Sequence, residues 1–75
     1  MIEIRDLEMA GEGWTFDLTV NGSTVEGCRG ATVWGRLQAI LPQSAALLDW
    51  GDESLATVTE ALRKKADHRL GWSVV

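Results

Sequence analysis

The sequence predicts an α+β domain: an antiparallel β-meander of three or four strands, packed on one face by two or three helices. Three observations predict it. Residues 14–20, WTFDLTV, alternate apolar and polar side chains with the period of a half-buried strand. Asn21-Gly22 follows at once, and this pair readily supplies the two positive φ angles of a type I′ hairpin turn. Farther on, Leu55, Val58, Leu62, Ala66 and Leu70 recur at helical spacing. With 75 residues the chain has room for one domain, 1–75. A domain of that size buries only roughly 60% of its unfolded surface, so its core is small.

The first strand is IEIRDLEM. Ile2 and Ile4 alternate with Glu3 and Arg5, and the phase then slips to Leu7 and Met9, which places a bulge near Asp6. AGEG, residues 10–13, is a glycine-rich turn. The second strand runs from Trp14 to Val20 and the third from Ser23 to about Cys28, so strands occupy residues 1–28. A two-residue Asn21-Gly22 turn sets Val20 opposite Ser23, Leu18 opposite Val25 and Phe16 opposite Gly27. On the other face it sets Asp17 opposite Glu26. Extending the register to the first strand puts Ile4 beside Leu18, Ile2 beside Val20 and Arg5 beside Asp17.

Helices are expected over residues 32–70. Thr32 resembles an N-cap for VWGRLQAIL, where Val33, Leu37, Ile40 and Leu41 recur at helical spacing and Pro42 ends the run. Residues 43–50 have the composition for another helical turn or two. The last helix is expected from about Asp52 to Leu70, acidic at its start and basic from Arg63 to Arg69, as the helix dipole favours. Gly71 is placed to be its C′ residue, and residues 72–75, WSVV, could add an edge strand.

Composition narrows the function classes. Net charge is −4 and the sequence pI about 4.7. A lone cysteine, a charged N-terminal stretch and the lack of a long apolar run fit a cytoplasmic protein without a membrane span. One Cys and one His make no metal-ligand cluster, and no cofactor motif is present. Cys28 with His68 as its base would be a nucleophile pair. A small strand residue and a helix-end cation account for both more simply. The chain therefore reads as no enzyme. The basic run Arg63, Lys64, Lys65, Arg69 is diluted by Glu60 and Asp67 on an acidic chain, which argues against direct nucleic-acid binding. Of the tryptophans, Trp14 fits the core, and Trp50, flanked by Asp49, Gly51 and Asp52, is the best interface candidate.

The acids point to a partner. Residues 1–27 hold Glu3, Asp6, Glu8, Glu12, Asp17 and Glu26 against Arg5 alone. The register collects Glu3, Asp17 and Glu26 on the outer sheet surface, with Glu8 and Glu12 at its margin. Like charges across a strand pair destabilise it by a few tenths of a kcal/mol when exposed, and Arg5 offsets part of that. Such a face suits a protein partner with a basic surface. The predicted site is therefore Glu3, Glu8, Glu12, Asp17, Glu26 and Trp50. In size, acidity and layout the whole chain resembles the small inhibitors of phages and mobile elements, the anti-CRISPR proteins above all, which share no common motif. That resemblance implies an inhibitor that binds a CRISPR effector complex and blocks its access to DNA. The alternative is a small dimeric regulator or antitoxin-type protein using the basic helix 63–69.

Overall fold

Three tight turns fold residues 2–40 into one antiparallel sheet. Its strands are β1 (Ile2–Ala10), β2 (Gly13–Val20), β3 (Ser23–Val33) and β4 (Arg36–Ile40), hydrogen-bonded in chain order. A short 3-10 helix, Gln43–Leu47, and helix α1, Leu55–Arg69, follow. The structure is a computed structural model, and it describes residues 1–69. Leu70, the Gly71 cap, Trp72 and the expected edge strand 72–75 lie outside the described residues.

Backbone sign at the turns explains the meander. Asn21 and Gly22 have φ of 48° and 89° between the paired Val20 and Ser23, the type I′ pattern. Asn21 also ties the chain beyond the sheet: its Nδ2 donates to the Asp49 carbonyl at 3.0 Å, and its backbone N–H to the Met1 carbonyl at 2.9 Å. The third turn is Trp34-Gly35, with φ of 56° and 76°, between the paired Val33 and Arg36.

That third turn corrects the expectation of a helix over 32–41. Leu37, Ala39 and Leu41 also lie at period two, and they face inward while Arg36, Gln38 and Ile40 are exposed. A short apolar run fits both periods. The edge of β3 decides between them: Arg29 to Val33 pair with Ile40 to Arg36, whereas a helix would leave that ladder unmade. Pro42 does not end a helix. It caps the start of the 3-10 helix, which is the only helical structure in 43–50. The described residues thus hold one α-helix and one 3-10 turn, not two or three helices.

The register of β1 on β2 is the expected one at Ile2↔Val20, Ile4↔Leu18 and Arg5↔Asp17, and the slip between Arg5 and Glu8 is a bulge. Between β2 and β3, Leu18 faces Val25 as expected. Phe16, however, faces Cys28 instead of Gly27, because a second bulge intervenes. Gly27 takes a φ of 79° there, which a residue with a side chain rarely adopts. Asp17 is therefore abreast of the Glu26–Gly27 bulge and has no direct partner on β3, so the expected Asp17–Glu26 cross-strand pair does not form.

Helix α1 begins at Leu55, later than Asp52, because Ser54 caps it. The Ser54 N–H donates to Thr57 Oγ1 at 2.9 Å, and the Thr57 N–H returns to Ser54 Oγ at 3.4 Å, a capping box with Thr in the place of Glu. Val58, Leu62 and Ala66 are buried against the sheet, whereas Leu55 is exposed. Gly30 makes room for this contact: a Cβ there would come within 2.9 Å of Leu62 Cδ2.

Side chains of α1 also reach both edges of the sheet. Lys65 Nζ donates to the Ile4 carbonyl at 2.6 Å and Arg69 donates to the Leu7 carbonyl, both on β1. On β4, Arg63 Nε donates to the Leu37 carbonyl at 2.7 Å and Thr59 Oγ1 accepts from the Ala39 N–H at 3.2 Å. Exposed strand edges invite pairing with other chains, and here part of each edge is occupied from within.

Trp34 carries a cost that can be measured. A bulky residue in the left-handed region loses roughly 1–2 kcal/mol relative to the right-handed one, and Asn tolerates it far better. Trp34→Asn, which makes a second Asn-Gly turn, is expected to stabilise the dilute protein by about 1 kcal/mol in urea denaturation. A lower midpoint would show that the indole stabilises the fold instead.

Candidate functional site on the open sheet face

Helix α1 and the core lie on one side of the sheet. The other side carries the alternate residues of each strand and is uncovered. Its rows follow from the register. Glu3, Thr19 and Thr24 form one, with the two hydroxyls 2.9 Å apart. Arg5 and Asp17 form the next, with the Glu26–Gly27 bulge beside them. Glu8, Thr15, Arg29 and Ile40 form a third, and Val33 with Arg36 lies at the far end.

The two bulges sit on either side of β2 at the same level. Bulges re-aim side chains, and this pair brings Asp6, Asp17 and Glu26 together. Asp6 itself has a φ of 53°, a conformation that Asp tolerates better than most residues. The pKa of Asp17 is raised above its ordinary 3.8 by partial desolvation first, then by the Glu26 and Asp6 charges and a hydrogen bond with Asp6. Arg5 pulls the other way but does not prevail. Its guanidinium lies 3.7 Å from the Glu3 carboxylate, an exposed pair of small worth.

Of the residues expected at the site, Glu3, Asp17 and Glu26 do share one end of the outer face. Glu8 is one row away, opposite Thr15. Glu12 is in the β1–β2 turn at the other end, where it lines a shallow depression with Arg29. Trp50 is half-buried, not a free surface anchor: it packs on the core and its indole N–H donates to the Ala45 carbonyl at 2.9 Å. Two residues were missed. Asp6 joins the acidic group, and the phase slip was its signal. Trp34 is 96% exposed at the tip of the β3–β4 hairpin, hidden from sequence reading by the helical spacing around it.

Cys28 is fully buried, and burial, then the Asp17 charge, push its pKa up to about 11, so it is a thiol at neutral pH. Its Sγ lies 3.8 Å from the Val25 carbonyl. His68 is exposed in the last turn of α1, beside the β1 bulge. Among the described residues, no three His, Cys, Asp or Glu side chains are grouped to hold a metal ion, and no helix is long and apolar enough to cross a membrane. No protein-family model, curated protein or solved structure matches the chain.

The raised Asp17 pKa has a definite consequence for stability. The folded protein holds the Asp17 proton more tightly than the unfolded chain does. The ionised carboxylate therefore costs stability above its folded pKa, and the cost disappears as pH falls below the unfolded value of 3.8. Asp17→Asn is expected to be more stable than the parent at pH 7, with the advantage shrinking through the acid range and gone below the unfolded pKa. Urea titrations across that range check it. An Asn variant less stable at pH 7, or a gain independent of pH, would contradict the assigned cause.

Proposed function

We propose that this protein is a non-enzymatic binding module that presents the acidic end of its open sheet face to a basic surface on a larger protein. The observation that carries the reading is the placement of Asp17 and Glu26, beside Glu3, on the face away from helix α1, with Asp6 at the β1 edge where it also lines a depression with Lys65, His68 and Arg69. Maintaining like charges in one place is unfavourable, and a cationic partner turns that repulsion into attraction. Surfaces dense in Lys and Arg are what nucleic-acid-binding grooves offer. The reading therefore extends to an inhibitor of a nucleic-acid-handling protein, with a CRISPR effector complex the instance suggested by size and layout. The alternative through the basic helix has fewer free groups to use, because Arg63, Lys65 and Arg69 already donate to strand carbonyls.

The test is a comparison of the parent with Asp17→Lys/Glu26→Lys in affinity capture from cell lysate, followed by titration of the captured protein. Asp17 and Glu26 lie on the outer face, so the fold is expected to persist. Binding is expected to fall by more than about tenfold in the variant, to weaken with salt, and to compete with a DNA oligonucleotide. Equal affinity of both forms, unaffected by salt, would move the interface elsewhere.

A further inference from the structure

The outer face has two ends of different character. Glu3, Asp6, Asp17 and Glu26 occupy the end near the Asn21 turn, with Arg5 the one cation among them. Arg29 and Arg36 project from the same face toward the other end, where Glu8 shares the row of Arg29 and Glu12 lies in the β1–β2 turn, so Arg36 beside Trp34 is the cation farthest from an acid. There Val33 and Ile40 are exposed, and Trp34 is 96% exposed in a backbone conformation that disfavours it. An exposed indole kept at a conformational cost points to contact with something. The acidic end of one copy and the apolar, cationic Trp34–Arg36 tip of a second complement each other when the face is turned end for end.

We propose that this face is a homodimer interface, in which the acidic end of one copy lies against the Trp34–Arg36 end of a second. Two-fold symmetry makes each contact occur twice, so one Arg36 meeting carboxylates implies a second doing the same. The area is that of a small interface: four strands spaced about 4.8 Å and averaging about eight residues at about 3.3 Å span about 500 Å² in projection, below the roughly 800 Å² per partner of standard complexes, which sets the expectation of a weak dimer. The sheet edges favour the face over edge-to-edge pairing, because Lys65, Arg69, Arg63 and Thr59 already engage edge groups. The inference does not rest on the proposed function. A basic partner and a second copy would compete for the same acidic end.

Sedimentation of the isolated protein tests it without any partner. The parent chain is expected to be a dimer at about 100 μM, with a dissociation constant that rises about tenfold or more in high salt. Asp17→Lys/Glu26→Lys removes the acid excess of one end, and Arg29→Glu/Arg36→Glu replaces the cations of the other with acids. Each variant alone is expected to be monomeric, and an equimolar mixture to form the heterodimer. Trp34→Ala, at an exposed tip, is expected to weaken the parent dimer by about tenfold or more, and it serves where circular dichroism shows a charge variant unfolded. A parent that stays monomeric at about 500 μM overturns the inference. So does a dimer left unchanged by Trp34→Ala, or two folded charge variants that fail to associate on mixing.

Discussion

Helix α1 lies across the inner face of the sheet with its long side chains hooked over both edges. Leu62 presses against Gly30 in the middle strands, Lys65 and Arg69 hold carbonyls of β1, and Arg63 holds one of β4. These are charge-assisted hydrogen bonds, stronger than neutral ones. A four-stranded sheet in so short a chain has two edge strands for two inner ones, so half its strands are exposed to fraying and to pairing with other chains. One helix answers both hazards. The basic run 63–69, which on sequence alone invites a ligand, is largely structural.

Because one helix covers the inner face, the outer face is left to solvent. There the fold accepts two local costs. Bulges beside β2 bring Asp6 and Glu26 to Asp17, raising its pKa, and Trp34 holds a left-handed backbone at the hairpin tip. Neither is required to fill the core, which is built from Leu18, Val20, Phe16, Val58 and Leu62 on the opposite side. Costs unrelated to the core are where function is expected to reside.

Much of β1 to β3 was legible because Asn21-Gly22 sets a register that the alternation of Trp14 to Val20 then propagates. The phase slip at Asp6 showed the first bulge. The second was hidden, since Gly27 read as an ordinary strand residue and only its positive φ reveals the extra position. Strand β4 was misread because RLQAIL satisfies both periods and Trp-Gly is not a residue pair that announces a type I′ turn. Pairing with β3 is a long-range gain that no local pattern records. The same holds for the cations of α1, whose carbonyl partners are more than 25 positions away, as with Arg63 and Leu37 at 26. Glu3, Asp17 and Glu26 share one end of the outer face, but Glu26 reaches Asp17 through the bulge at Gly27 and not through the direct cross-strand pair that an unbroken register predicts. Trp50 packs its ring against the core, and its N–H is satisfied there by the Ala45 carbonyl.

Native-state hydrogen exchange of the edge strands tests the clamp most directly. If α1 secures both edges, the paired amides of β1 and β4, and the Ala39 N–H bonded to Thr59, open only with the whole domain. Their opening free energies then match that of the inner strand β2 within about 0.5 kcal/mol. Edge amides that exchange by local opening, about 2 kcal/mol or more below β2, would contradict a helix that holds the sheet from side to side.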